Sequence, residues 1–468
     1  MADLPALMPY GSIAALGEAY RRGETGPADA VDTVLDRIGA LDSQLQAFVS
    51  VDAEGARAAA ADAEADLRAG LDRGPLHGVP LAVKDLCWTQ DRPTTAGMAI
   101  LKDFQPGEDT TVVTRLKAAG AVLLGKLKTT EGAFVGYHPD VVPPRNPWNP
   151  DRWPGVSSSG PGVATAAGLC FGALGSDTGG SIRAPSAVCG VAGLKPTYGR
   201  VSRYGIVPLA DSLDHVGPMA RRVLDCAAIL GAIAGPDPRD PTASQAPVPD
   251  YLAAAGSDLG GITIGFDEDY AALDIDSEVA QAVGEAAAVL RDLGADVKAV
   301  RMPPLAALLR NFLRIVGVEA LVAHRAWFPA RADEYGPTLR GFLEQSQAVT
   351  AADLAEVQAE ARRFAGAFTK LLTEVDMILC PSWPVPAPEM DADGTVPVVD
   401  ESGALLKFTA PFNASGNPTL SVPCGFSRDG LPLSLQFVGR PFDEALLIRT
   451  GHAYETHGRW FTHTPPID

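Results

Sequence analysis

The sequence lacks the cysteine and histidine spacings that hold a metal ion or a disulfide framework. Its six cysteines are scattered over 468 residues, without a C-x-x-C pair or a Cys/His cluster. Zinc sites and disulfide-rich secreted domains need such spacings. The first residues, MADLPALMPYGS, also lack the basic-then-apolar order of a secretory leader. We therefore expect a cytoplasmic protein with no metal and no other cofactor.

Positive charge is scarce. The chain has 38 Lys and Arg residues against 57 Asp and Glu residues, a formal net charge of −19. An acidic surface repels phosphate backbones, so nucleic acid is not an expected partner. Nucleotide-binding loops are missing too, because G-x-x-x-x-G-K-[ST] is absent and no Gly-rich cluster matches G-x-G-x-x-G after a predicted strand.

One uncharged run is long enough to cross a bilayer, but its composition argues against that. Residues 153–176 are 24 uncharged residues, and the stretch 155–162 reads GVSSSGPG. A membrane helix does not normally carry three glycines and two prolines in its first half. We expect a buried loop followed by a tightly packed helix, and no membrane partner.

Alternating helix and strand patterns predict an α/β protein. Apolar residues at helical spacing over 111–119 stop at Gly120 and precede a predicted strand at 121–125. Asp276 is predicted to cap a helix that ends at Gly294, with a strand at 297–300 behind it. A short apolar run at 81–83 predicts a buried strand that ends at Lys84. The first 70 residues are predicted to be helical.

The carboxyl-terminal region predicts a hairpin, with strands at 419–426 and 431–438 around the turn 427–430. In the second strand, apolar residues alternate with Ser434 and Gln436, which predicts one buried face. We expect a single domain over 1–468, with a more helical, variable insertion at about 301–375.

Two Gly/Ser clusters, at 155–162 and 175–181, lie at the ends of predicted elements. Glycine leaves backbone N–H groups unshielded, and successive free amides can bind an anion or a developing oxyanion. Close-packing turns are the alternative for either cluster taken alone.

The longest motif in the chain resembles the core of the amidase-signature family. It is GSDTGGSIRAPSAVCGVAGLKPTYGRVSRYG at 175–205, and the upstream PGVSSSGPG and LAVKD segments also match. The resemblance runs in order from about residue 10 to 235 and returns in FNASGNPTLSVPCGF and LPLSLQFVGR. It implies a large central mixed β-sheet flanked by helices on both faces, with a signature core at about 75–235.

The resemblance also implies the catalytic residues. The last serine of D-T-G-G-S, Ser181, corresponds to the nucleophile, and Ser157 to the bridging serine, whose peptide bond is typically cis in the family. Lys84 corresponds to the base, while Asp177 and Arg183 are expected to pair across the loop in a structural role. The family's oxyanion hole uses the backbone amides of the loop that enters the nucleophile, here those of Thr178, Gly179, Gly180 and Ser181.

A serine–lysine mechanism agrees with the residues available. A serine hydroxyl needs a base, and no histidine lies in a nucleophile-elbow context. A lysine serves only when neutral, so its pKa must fall by roughly 2 to 3 units from about 10.4. Composition alone does not choose between Lys84, Lys126 and Lys195, and only the resemblance selects Lys84. The segment 155–161 reads GVSSSGP where the family has G-G-S-S-G-G-S, which marks a subfamily difference.

The expected reaction is hydrolysis of small linear aryl or alkyl amides through a covalent acyl-enzyme. Carbamate (urethane) or ester cleavage uses the same attack and stays an alternative. The glutaminase component of a tRNA-dependent amidotransferase, its A subunit, is a further one, against which the altered loop and the acidic charge argue. Family members are often dimers, so a homodimer is one expected assembly.

Pocket residues are harder to predict. The family's pockets are lined by the segment that matches 134–137 and by the variable region, so Phe134, Tyr137 and Ser158 are candidates. Among the aromatic residues Phe312, Trp327 and Phe328, a place in the core is favoured over the pocket.

Overall fold

The computed structural model describes residues 9–256, 258–391, 394, 396 and 404–467. Residues 1–8, which carry most of the leader prediction, lie outside this range. Among the described residues, no helix combines the length and apolar character that a bilayer span requires.

A mixed sheet of eleven strands forms the centre of the described chain, in the order β1-β3-β2-β4-β6-β5-β10-β11-β9-β7-β8. The strands are β1 (Phe48–Val51), β2 (Pro80–Lys84), β3 (Val122–Leu127), β4 (Gly172–Asp177), β5 (Ala192–Lys195), β6 (His215–Ala220), β7 (Thr263–Phe266), β8 (Asp296–Ala299), β9 (Met377–Pro381), β10 (Thr419–Phe426) and β11 (Pro432–Gly439).

Fourteen α-helices of the described chain flank this sheet. They are α1 (Ile13–Arg21), α2 (Pro27–Leu45), α3 (Ala53–Arg68), α4 (Thr111–Ala118), α5 (Ser159–Ala166), α6 (Arg183–Cys189), α7 (Val223–Ile233), α8 (Glu268–Ala272), α9 (Ser277–Asp292), α10 (Ala306–His324), α11 (Pro337–Ser346), α12 (Ala351–Leu371), α13 (Ala410–Ala414) and α14 (Glu444–Gly458). The predicted α/β class with a central mixed sheet is confirmed. The extents of the signature core and of the insertion stay predictions, although α10, α11 and α12 all fall within 301–375.

Several predicted elements are found close to their expected places. Helix α4 is followed by β3, and Asp276 caps α9 by accepting a hydrogen bond from the Glu278 amide at 2.8 Å. Strands β10 and β11 form the predicted antiparallel hairpin. Within residues 9–70, the predicted helical region contains α1, α2 and α3, and also β1, a four-residue edge strand that sequence reasoning missed.

The prediction of one buried face for the second hairpin strand is wrong. All eight residues of β11 are buried, because it lies between β10 and β9 in the interior of the sheet. Two of its polar side-chain atoms are paired internally: Ser434 Oγ donates to the Val422 carbonyl at 3.0 Å, and Gln436 Nε2 donates to the Pro381 carbonyl at 3.0 Å. The alternation of polar and apolar residues in β11 therefore does not mean that the polar face is exposed to solvent.

Two parallel strands in the interior of the sheet bring two buried polar side chains together. Strand β2 is wholly buried and pairs in parallel with β4, with Val83 opposite Leu174. Since parallel strands end at the same edge, Lys84 and Ser176 come together there. The other Gly/Ser cluster, at 155–162, leads into the start of α5. Helix α5 packs against β2 and β4.

Candidate active site

Lys84 lies at the end of β2 with only 1 % of its surface exposed. Its Nζ atom lies 2.7 Å from Ser157 Oγ, 3.0 Å from Ser158 Oγ and 2.9 Å from Ser176 Oγ. Among the described residues, no carboxylate forms an ion pair with this amine. Neutral hydroxyls therefore surround the amine without compensating a positive charge.

Burial lowers the pKa of Lys84 to about 7. Removing an ammonium from water disfavours its charged form, and the more distant Asp177 and Asp214 offset this only in part. The side chain is thus uncharged above neutral pH and can accept a proton.

Local partners separate Lys84 from the two other lysines that follow apolar runs. Lys126 Nζ forms a buried ion pair with Asp85 at 2.9 Å and donates to the Cys87 carbonyl at 2.7 Å. Lys195 Nζ donates to the carbonyls of Pro196 and Asn417, at 3.1 and 2.6 Å. Of these three lysines, Lys84 is the one surrounded by serine hydroxyls, through which a proton can pass.

Ser157 lies in the segment just before α5, and this segment contacts Lys84. The peptide bond between Val156 and Ser157 is cis, and both Ser157 and Ser158 are fully buried. Ser158, expected in the substrate pocket, instead binds Lys84, and its Oγ also donates to the Ser176 carbonyl at 3.0 Å. This corrects the pocket prediction for Ser158, because its side chain is directed to the lysine.

Ser181 follows the β4 loop and lies on the wall of an apolar cavity. Its carbonyl accepts a hydrogen bond from the Ser158 amide at 3.3 Å, which ties the two Gly/Ser clusters together. In the described part of the chain, its hydroxyl makes no hydrogen bond. The Ser181 hydroxyl thus lies beside the cavity and is not hydrogen-bonded to Lys84, Ser157 or Ser158.

The amides of the Ser181 loop divide into two groups. The Gly180 amide already donates to Asp177 Oδ1 at 2.8 Å, which corrects its predicted place among the oxyanion donors. The amides of Thr178, Gly179 and Ser181 have no acceptor within the described residues. Unpaired amides beside a cavity can bind a developing oxyanion.

A buried ion pair fixes this loop. Arg183 Nη2 lies 2.8 Å and Nε 3.1 Å from the two oxygens of Asp177, and neither side chain is exposed. Asn413 Nδ2 donates to the same carboxylate at 2.8 Å. Burial alone would raise the pKa of Asp177, but the guanidinium outweighs it and holds that pKa far below its usual range. The expected pairing of Asp177 and Arg183 is confirmed.

The apolar cavity beside Ser181 has a volume of about 60 Å³. Its walls come from distant parts of the chain, namely Ala133, Phe134, Val135, Trp153, Val156, Thr178, Gly179, Gly180, Ser181, Ala184, Leu209, Phe312, Leu313, Val316, Trp383 and Leu406. None of these described wall residues is charged. The cavity accordingly suits an uncharged, apolar group.

Only some of the residues predicted for the substrate pocket line this cavity. Phe134 lines it, whereas Tyr137 does not and donates through its hydroxyl to Ser159 Oγ at 2.7 Å. Phe312, for which a core position was favoured, is buried and also lines the cavity. Trp327 and Phe328 do not line the cavity.

Sequence reasoning missed two kinds of residue. Ser176 is a polar residue at the end of the strand beside that of Lys84, a position that could have indicated it. Trp153 and Trp383 pack against each other in the cavity wall, with ring centroids 5.3 Å apart and a tilt of 35° between the rings. No sequence pattern connects two residues so far apart in the chain.

Another groove of the protein does not contain the residues around Lys84 and Ser181. A larger charged groove of about 300 Å³ lies beside α3 and includes Asp66 and Arg73, but not Lys84, Ser157 or Ser181. The described residues contain no group of three or more His, Cys, Asp or Glu side chains that could hold a metal ion.

Comparison with known proteins gives consistent matches over nearly the whole chain. The model of the Amidase family matches residues 29–448. The Mycobacterium tuberculosis (strain ATCC 25618 / H37Rv) protein named "Putative amidase AmiD" is 44% identical over 461 residues, which cover 97% of this chain and 95% of that protein. The A subunit of the glutamyl-tRNA(Gln) amidotransferase of Roseiflexus sp. (strain RS-1) is 41% identical, with 96% and 97% covered. The structure of 6-aminohexanoate cyclic dimer hydrolase complexed with substrate matches with a TM-score of 0.88 and 30% identity, over 98% of this chain and 99% of that one.

We expect replacement of Arg183 by methionine to lower the free energy of unfolding by about 3–5 kcal/mol, because it leaves the Asp177 carboxylate buried without its cation. The matched control is Arg57→Met, which breaks an ion pair whose side chains are 52% and 54% exposed. That change should cost less than about 1 kcal/mol. Urea unfolding of both variants measures the difference, and equal losses would contradict the structural role of the buried pair.

Proposed function

The chain belongs to the amidase family of C–N hydrolases, and on that premise we propose that it hydrolyses small aryl or alkyl amides through Ser181, activated by Lys84 and Ser157. The observation that carries this proposal is the contact of 2.7 Å between the buried Lys84 amine and Ser157 Oγ. An amine that is neutral near pH 7 beside a hydroxyl is the base that a serine nucleophile needs.

The proposed relay moves one proton in each direction. Neutral Lys84 accepts a proton from Ser157 Oγ, which takes the proton of the Ser181 hydroxyl. Ser181 Oγ then forms a bond to the substrate carbonyl carbon, and the oxyanion accepts hydrogen bonds from the loop amides. When the C–N bond breaks, the proton returns through Ser157 to the leaving nitrogen, and water later releases the acyl group as an acid. Substrate binding is expected to bring Ser181 within reach of Ser157, since catalytic hydrogen bonds often tighten only in the complex.

The apolar walls support an apolar acyl group and disfavour the glutaminase alternative. Glutamine carries an ammonium and a carboxylate next to its side chain, and each would need a polar partner when buried. The described walls of the cavity supply no charged side chain for either. An aryloxy or alkoxy group would fit the same walls, so a carbamate is the second candidate substrate.

In a panel of hexanoyl anilide, a hexyl carbamate and glutamine, we expect the isolated chain to cleave the anilide most rapidly and glutamine least. Ser181→Ala should lower kcat on the anilide by about 10³-fold or more, because the nucleophile is lost. The control is Ser43→Ala on the exposed face of α2, which should leave kcat unchanged.

Mass spectrometry of the intact protein during turnover should show an acyl adduct in the wild type and in Ser43→Ala only. Retained hydrolysis by Ser181→Ala, or a preference for glutamine that needs a companion protein, would refute the proposal.

We also expect kcat/KM to rise with pH and to level off above an apparent pKa near 7, because only neutral Lys84 accepts the proton and its pKa is about 7. Another buried group titrates in the same range: burial raises the pKa of Glu131 to about 7, and Glu131 begins the segment that carries Ala133 and Phe134. Glu131→Gln is therefore the control and should keep the same profile. A profile that becomes flat in this variant would assign the titration to Glu131 instead.

A further inference from the structure

A second cavity, of about 140 Å³, adjoins the apolar one. The two cavities share three wall residues, Ala133, Thr178 and Leu209. These three residues form a ridge that belongs to the walls of both cavities, and it includes Thr178, whose amide has no acceptor among the described residues. A molecule bound at Ser181 could therefore extend into both cavities.

The inner end of the second cavity lies beside Ser176, one of the serines that contact Lys84. Ser176 lines this cavity, and its Oγ lies 2.9 Å from Lys84 Nζ. At the other end, the cavity reaches Asp211, whose side chain is 77% exposed. The cavity thus extends from the surface to the proton-relay cluster.

The walls of the second cavity mostly offer acceptors. Asp214 is buried there, and its carboxylate accepts a hydrogen bond from Thr178 Oγ1 at 2.6 Å. His215 also lines it; Nδ1 lies 2.6 Å from the Leu213 carbonyl and so carries the proton of a neutral ring. Its Nε2 atom is then an acceptor that has no partner within the described residues.

The one cation among the described wall residues is already engaged. Arg203 Nη1 lies 3.0 Å from Asp211 Oδ1, and Nη2 donates to Tyr198 and Thr242 oxygens at 2.7 Å each. These walls therefore favour a ligand that donates hydrogen bonds over one that is an anion.

Resting on the proposed function, we propose that this second cavity is the subsite for the amine half of the substrate, and that it takes ammonia or small amines. The acyl carbon and the nitrogen leave the planar carbonyl carbon of an amide in different directions. With the acyl group held by the apolar walls, the proposal directs the nitrogen across the shared ridge towards the second cavity. There it meets hydrogen-bond acceptors and the Lys84 side of the site, from which its proton must come.

A matrix of four substrates and two variants tests this assignment. The substrates are acetamide, hexanamide, N-benzylacetamide and N-benzylhexanamide, which vary the acyl group and the amine independently. Val207 lines only the second cavity and Leu313 only the apolar one, and both are half-buried. Val207→Phe and Leu313→Phe are therefore matched changes.

Val207→Phe should lower kcat/KM for both benzylamides by at least about tenfold relative to the unsubstituted amides, as one misfitted group does in a packed pocket. Leu313→Phe should lower it for both hexanoyl substrates, whatever the amine. Val207→Ala, which removes bulk and cannot fail by overpacking, should raise kcat/KM for the benzylamides.

An effect of Val207→Phe that follows acyl length, or that is equal for all four amides, would overturn the subsite assignment, as would unchanged benzylamide hydrolysis by Val207→Ala. Failure of the proposed function is a different outcome: Ser181→Ala would then retain hydrolysis, regardless of how the Val207 variants behave.

Discussion

The proposed active site depends on the burial of one amine that has no ion-pair carboxylate among the described residues. In water a lysine is a cation at neutral pH, and a buried ion-pair partner would keep it so. Lys84 instead ends a wholly buried strand and is met by three serine hydroxyls. Hydroxyls satisfy the hydrogen-bonding capacity of the amine in either protonation state, as the proposed relay requires.

A second buried charge shows the opposite arrangement at the neighbouring strand end. Asp177 is fully buried but is met by the guanidinium of Arg183, so it stays ionised and organises the loop that leads to Ser181. The same carboxylate takes the Gly180 and Ile182 amides and leaves other amides of the loop free. One buried pair thus fixes several groups of the loop, while Lys84 at the neighbouring strand end forms no ion pair among the described residues, as its proposed role as a base requires.

Sequence reasoning succeeded where the relevant signal was local. Motif order singled out Ser157 and Ser181, whose catalytic roles stay predictions, and the apolar run at 81–83 predicted the strand of Lys84. Composition alone could not choose Lys84 over Lys126. That choice depends on Asp85 and the carbonyls around Lys126 and Lys195, which only the fold brings near. Likewise, the polar face of β11 reads as exposed, and its burial follows from its interior place in the sheet. The cavity walls join α10 to segments far away in the chain, which no periodicity encodes.

The most direct test of this account is the protonation of Lys84 itself. NMR titration of protein labelled with ¹³C at lysine Cε, with the Lys84 signal assigned by its loss in Lys84→Arg, would report the pKa of that amine. The account predicts a midpoint near 7. A midpoint near 10.4, about the ordinary value for lysine, would mean that the amine is charged at neutral pH and cannot be the base.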